Sequence, residues 1–318
     1  MRFDISRISP TLVVAAIALA AVSLSCSEMP TGPSPTMEFV AEDQVGRNGS
    51  GPGLALVNMA GGYRRIGGGA GDPVWLSDGQ RVVYWRIEQG ITHVWISDVA
   101  SGTESQLTLA GSPLHQERTP QASPDGQWVY VMGCDSEEPC NWDLWRVKMT
   151  GADARRTAEK VPVVPPAGNT AIVLRLFDVG RDGRPLIAYF TQSLTTGAER
   201  VVLTALDPST GAMTELPVNG GALVPGGEPI TGGSAKWSPD GRSIAYVGDN
   251  LTLAIVRADD GAVQMVFGPY EYGISWSPDG RYILARAIGG LHVIDLTQRT
   301  ETPLTFAGPL SYPAWRPK

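Results

Sequence analysis

Few side chains in this sequence could act as acids, bases or ligands, and their spacing narrows the chemistry. Of the three histidines, His93 and His292 stand at matching places in two strand-like runs, 93–99 and 291–296, which suits a structural or surface role. His115 stands apart, beside Gln116, Glu117 and Arg118 in the polar stretch 111–119. Such a cluster could touch a ligand, or be an ordinary solvated loop. A polysaccharide-lyase site would have to bring His115 together with Lys236 and Arg175. A second group is aromatic. Tyr270, Glu271 and Tyr272 lie in a short Pro-to-Gly loop, where rings can anchor a partner or pack between elements with the hydroxyl wet. Tyr312 completes the candidate set of His115, Glu117, Arg118, Lys236, Tyr270, Glu271, Tyr272 and Tyr312.

Catalytic patterns are missing. There is no H-E-x-x-H, no G-x-S-x-G elbow and no G-x-x-x-x-G-K-[ST] loop. The glycine-rich run 67–71 leads into the strand-like Asp72-Pro73-Val74-Trp75, so it reads as a flexible connection and not as a phosphate cradle at a helix start. Repeated Asp-Gly pairs invite a calcium reading, but calcium needs six or more oxygens at one point, and these pairs fall in separate repeats. The expectation is no catalytic residue, no metal and no cofactor.

The elements that must carry the candidates repeat. Trp237-Ser-Pro-Asp-Gly-Arg-Ser-Ile-Ala-Tyr246 returns as Trp276-Ser-Pro-Asp-Gly-Arg-Tyr-Ile-Leu-Ala285. Further copies begin at Trp75 and Ala122, a degenerate one at Val179, and a truncated one at Trp315. Successive turn aspartates, Asp78, Asp125, Asp182, Asp240 and Asp279, are 47, 57, 58 and 39 residues apart. In each unit an apolar strand enters a turn where Pro presets φ, Asp bonds local backbone and Gly supplies positive φ. A second apolar strand follows, then a third, a turn such as 207–211, and a polar fourth strand. Units of about 40 to 50 residues with four strands predict propeller blades.

The ends predict how the ring closes. The final copy offers one strand, and residues 37–42, 54–59 and 63–66 read as the three that complete its blade. The fold expected is all-β, a six-bladed β-propeller of four-stranded antiparallel blades over 37–318, with the last blade shared by the two termini. A seventh blade would need a copy hidden in 157–175 or 217–234.

The repeated W-S-P-D-G with its following I-A-Y resembles the repeat of the TolB family of WD-like propellers. The resemblance spans nearly all of 37–318, and too few residues precede the first blade for TolB's extra N-terminal α/β domain. It implies a non-catalytic module that binds a protein or peptide of the cell envelope. The same repeat occurs in propeller enzymes, so a polysaccharide-binding or lyase-type propeller and a plain scaffold stay open as alternatives.

Composition and the first residues bear on location. The chain of 318 residues has 38 Gly, 25 Pro, 18% charged residues and a net charge of −7, a turn-dense β profile without the basic stripe that nucleic acid requires. Residues 1–26 read as a secretory signal: Arg2 and Arg7, an apolar run from Leu12 to Val22, then small residues. Val22-Ser23-Leu24-Ser25-Cys26 resembles a lipobox, which makes Cys26 the lipidation candidate and 27–36 a Pro/Ser tether. Ordinary cleavage near Ser25 is the alternative. The expected product is a monomer on the periplasmic side of the envelope, touching the membrane only through a lipid anchor. In that oxidising compartment Cys134 and Cys140 are candidates for a local disulfide.

Overall fold

The computed structural model describes residues 33–34, 36–45, 52–68, 70–108, 112–136, 141–149, 157–197, 199–217, 234–248, 251–305 and 309–318. The signal, Cys26, most of the tether, Cys140 and most of 217–234 lie outside the described residues. The described strands all belong to one compact unit, Pro33–Lys318.

Described residues form strands and turns, with no helix among them. Three strands come first, β1 (Glu38–Asp43), β2 (Gly53–Asn58) and β3 (Tyr63–Gly68). Blade 1 holds β4 (Ala70–Trp75), β5 (Arg81–Glu88), β6 (Ile91–Asp98) and β7 (Glu104–Gln106). Blade 2 holds β8 (Gln116–Ala122), β9 (Trp128–Cys134), β10 (Asp143–Lys148) and β11 (Ala158–Lys160). Blade 3 holds β12 (Asn169–Val179), β13 (Pro185–Ser193), β14 (Glu199–Leu206) and β15 (Met213–Glu215). Blade 4 holds β16 (Ser234–Trp237), β17 (Ser243–Val247), β18 (Leu253–Arg257) and β19 (Val263–Phe267). Blade 5 holds β20 (Ile274–Trp276), β21 (Tyr282–Ala287), β22 (Gly290–Asp295) and β23 (Thr300–Pro303). The last strand, β24 (Leu310–Trp315), pairs antiparallel with β1, and the order β24-β1-β2-β3 is blade 6.

The innermost strands close a circle: β4 packs on β8, β8 on β12, β12 on β16, β16 on β20, β20 on β24 and β24 on β4. The fold is a six-bladed propeller clasped by its two termini. Its apolar residues fall into six clusters, one between each pair of neighbouring blades. Alternation along one strand feeds two of them. On β5, Val82 and Tyr84 face blade 6, while Val83 between them faces blade 2. A strand covered on both faces must be apolar at every position, which is why the second strands read as unbroken apolar runs.

The repeated turn has one geometry. In blade 4 the Ser238 hydroxyl bonds the Asp240 carboxylate at 2.6 Å and accepts the Ser243 N–H at 2.9 Å. The Arg242 N–H donates to Asp240 at 3.0 Å, and the Gly241 N–H closes on the Ser238 carbonyl with φ at 73°. Ser277–Asp279 and Ser123–Asp125 repeat the pattern. These carboxylates are spent on local backbone, as turn formers are.

Two local expectations are corrected. The described residues of the glycine-rich run are strand and not loop, because β3 runs to Gly68 and β4 starts at Ala70. Glycine is needed there for closeness: a Cβ on Gly71 would sit 2.5 Å from the Trp85 ring. The stretch 111–119 is not all loop either, since β8 begins at Gln116 and carries Glu117 and Arg118 on an inner strand.

Candidate functional site

The six inner strands start at one end of the channel, and five of them finish in Asp-Gly turns at the other, so the two mouths differ in chemistry. A cavity of about 420 Å³ runs along the axis, walled by every inner strand. At the turn mouth the walls are Trp75, Trp237, Trp276 and Trp315 with prolines between them. Indole N–H groups tie neighbouring blades there, from Trp75 to the Ala314 carbonyl at 3.0 Å and from Trp276 to the Lys236 carbonyl at 3.2 Å.

At the opposite, charged mouth one position recurs three residues before the turn tryptophan or its equivalent. It is Asp72, Thr119, Gly273 and Tyr312 in blades 1, 2, 5 and 6, and all four have positive φ: 46°, 47°, 89° and 46°. Non-glycine residues seldom adopt this conformation, least of all a β-branched threonine. The ladders of β4, β8 and β24 break their register at this point, a bulge that re-aims the side chain. Each of these three bulges carries a proline next in line, Pro73, Pro120 and Pro313, which leaves no ladder N–H unpaired. In blade 5 only glycine fits, because a Cβ on Gly273 would lie 2.9 Å from the Tyr312 backbone.

A second cavity, about 380 Å³, opens beside this mouth between blades 1, 2 and 3 and shares Asp72, Thr119 and Arg175 with the channel. Asp72 accepts the Trp85 indole N–H at 3.0 Å. Its carboxyl opens only partly to the channel, and burial raises its pKa against the opposing pull of that bond, Arg175 and Lys236. Burial and the Asp72 charge together lift Glu42 on β1 to about 7, opposed by Ser311 and Arg286. Tyr312 is raised by burial and then by Asp72. Arg118 is lowered, first by burial and then by the like charge of Arg175. Deeper in, the Lys236 ammonium donates to Gln121 at 2.6 Å and faces Asp178 at 3.5 Å, while Asp178 accepts the Trp237 N–H at 2.8 Å.

The sequence-derived candidates fall into three places. Lys236 and Tyr312 line the channel, Arg118 lines the side cavity, and Tyr272 and Glu271 stand at the rim, with Glu271 paired to Arg286 at 2.7 Å. His115 lines neither cavity and lies beside His93, whose pKa burial lowers and His115 lowers further. The set His115, Lys236 and Arg175 is therefore not assembled.

Glu117 and Tyr270 are not surface residues. Glu117 has no exposed area; it accepts the Val94 N–H at 3.2 Å and the Thr108 hydroxyl, and burial lifts its pKa to about 7. Strand alternation turns it into the seam with blade 1, whereas the adjacent Arg118 points outward. Tyr270 is 1% exposed, packs edge-on to His292 at 6.0 Å and donates its hydroxyl to Glu301. Cys134 is disulfide-bonded, and its expected partner Cys140 lies outside the described residues. Asp72, Thr119, Gln121 and Asp178 are not among the sequence candidates. A proline two residues before the turn tryptophan, seen in three copies, is the signal that marks the bulge.

No family model matches the chain. An uncharacterised protein of Agrobacterium fabrum is 28% identical over 182 residues, covering 54% of this chain and 53% of that protein, about half its length. Among solved structures, TolB from Acinetobacter baumannii superposes with a TM-score of 0.63 at 18% identity, over 90% of this chain and 68% of that one. A TolB candidate from Agrobacterium tumefaciens gives 0.56 at 15% identity, over 89% and 100%. Hydrazine synthase of Kuenenia stuttgartiensis gives 0.61 at 15% identity, over 90% and 47%. Likeness at these identities is a likeness of fold.

Proposed function

We propose that this chain, built on the TolB-type six-bladed fold, is an exported, non-catalytic module of the bacterial cell envelope that recognises a protein or peptide at the charged mouth of its channel. One observation carries the reading. Val45, Leu194 and Ile288 sit at connections between second and third strands, Ile87 sits at the end of β5 beside such a connection, and Tyr272 sits between β19 and β20. All of these connections open on the side of the charged mouth, and these side chains are exposed, Leu194 at 69% and Ile288 at 78%. Apolar groups spaced around a polar centre suit a partner that buries them while its own polar groups meet Arg118, Arg175 and Lys236. The separation of His115 from Lys236 and Arg175 supports binding over lyase chemistry. The N-terminal signal and Cys26 support a lipid-anchored, periplasmic position.

The test uses the immobilised full chain, envelope extract and mass spectrometry. Ile87→Asp, Leu194→Asp and Ile288→Asp together are expected to abolish capture of a defined envelope protein. Val263→Asp with Val266→Asp, on the outer edge strand β19, should leave capture intact. Capture that survives the rim substitutions, or recovery of glycans alone, overturns the reading.

A further inference from the structure

The side cavity beside the charged mouth, about 380 Å³, lies at the small end of ligand pockets, with room for one ring system and none for a folded segment. Its charged walls are not equivalent. Asp72 accepts the Trp85 indole N–H at 3.0 Å, and burial holds its carboxyl towards the neutral form. Arg175 already interacts with its neighbours and lies over the Phe177 ring, 5.7 Å from the centroid. Arg118 is different. It stands exposed on β8 where the ladder begins to bulge, and its guanidinium stacks on the Trp142 ring, 3.7 Å from the centroid. A stacked guanidinium is held flat, with its second face and its N–H edge left over. Arg118 is a wall of the cavity and Trp142 is not, so the hollow meets the part of the guanidinium that the indole leaves uncovered. Next to it lie the half-buried Trp85 and Thr92 and the exposed Ile87, which belongs to the apolar rim as well.

We propose that this cavity receives one aromatic side chain of the partner, a ring laid on the open face of the Arg118 guanidinium so that the cation lies between it and Trp142. The walls select the ring. An aliphatic group would cover the guanidinium and offer it no electrons, and an ammonium would meet two guanidiniums, Arg118 and Arg175, that already oppose each other. A ring presents its negative face to the cation and its apolar body to Trp85 and Ile87. Held by Trp142 beforehand, Arg118 loses little freedom when the ring arrives. Continuity puts the ring on the partner: Ile87 is shared by cavity and rim, so a chain that covers the rim has the cavity within reach. The N–H edge of Arg118 stays open to the partner's polar groups. This inference deepens the partner-binding reading by naming a residue class that the partner carries, and it rests on that reading.

The full chain is titrated by ligand-observed NMR with N-acetyltryptophanamide, N-acetylphenylalaninamide, N-acetylleucinamide and propionate. Concentrations up to about 10 mM reach millimolar affinities. At least one aromatic amide should bind about twofold to fivefold tighter than the leucine amide, the margin of an exposed cation–π contact. Arg118→Gln should remove that margin and leave the leucine amide unchanged, and Ile87→Asp should weaken the aromatic amides. Should a variant fail to fold, the contrast between aromatic and leucine amides on the unaltered chain decides. The proposal is overturned by leucine amide binding as tight as the aromatic amides, or by propionate binding tighter than either ring. A margin that survives Arg118→Gln, rings unweakened by Ile87→Asp, or no aromatic binding at all overturns it equally. Rim-dependent capture needs no added amide and is read separately, so it can stand when the ring site falls.

Discussion

The two mouths of one channel are built from the same six strands and have opposite characters. At the turn mouth one pattern recurs: indoles of blades 1 and 5 bridge to blades 6 and 4, and Ser–Asp pairs tie the turns of blades 2, 4 and 5. At the charged mouth four blades differ at one shared position, which holds Asp72, Thr119, Gly273 or Tyr312. Repetition holds the ring together. Variation at a single bulge furnishes the chemistry. Ionisation separates the ends as well. At the turn mouth the Ser238 hydroxyl and Arg242 N–H lower the Asp240 carboxyl, whereas burial raises Asp72, Glu42 and Glu117 near the charged mouth.

Breaking the turn mouth should have the largest effect. Trp315 is 5% exposed and meets Phe39 edge-on at 5.8 Å, inside the blade that clasps the ring. Trp315→Ala is expected to cost about 3–5 kcal/mol in urea unfolding, and a loss under about 1 kcal/mol would show that the clasp is not a main source of stability. Next comes a pH effect on the opposite side. Glu117 folds with a pKa of about 7 against an ordinary 4.5, so its stabilisation is complete below 4.5 and disappears as pH rises through 7. Glu117→Gln should flatten that decline by up to about 3 kcal/mol, measured as unfolding free energy between those pH values; an unchanged slope would mean that Glu117 does not carry it. The smallest effect sets the ends side by side. Gly241 has φ at 73° with nothing within 4 Å of a Cβ, whereas Gly273 has φ at 89° and would clash with Tyr312. Both Ala variants meet the left-handed penalty of about 1 kcal/mol, and Gly273→Ala should lose about 1–2 kcal/mol more through overpacking. Equal melting temperatures would place the two mouths under the same constraint.

Legibility in the sequence divides along the same line. The turn mouth is written in contiguous residues, so its period, blade number and clasp can be read directly. Even the degenerate copy at Val179 forms its turn, because Gly180 and Asp182 keep the local bonds to Gly183 and Arg184 when serine and tryptophan are missing. The charged mouth joins residues from strands tens of positions apart, and neither Asp72 nor Arg175 stands out alone. Glu117 and Tyr270 look like exposed loop residues, yet strand alternation buries the first in a seam between blades and packing against His292 buries the second. Lys236 and Tyr312 are legible because they lie immediately before repeats that announce themselves.

The clasp has a consequence for synthesis. A ribosome making this chain delivers β1 to β3 before any other strand and β24 after all of them, so blade 6 waits for its innermost strand while five others are made. Until that strand emerges the channel lacks a wall and the mouth lacks Tyr312. A product stopped short of Leu310 keeps β1 to β23 but leaves the circle of inner strands open between β20 and β4.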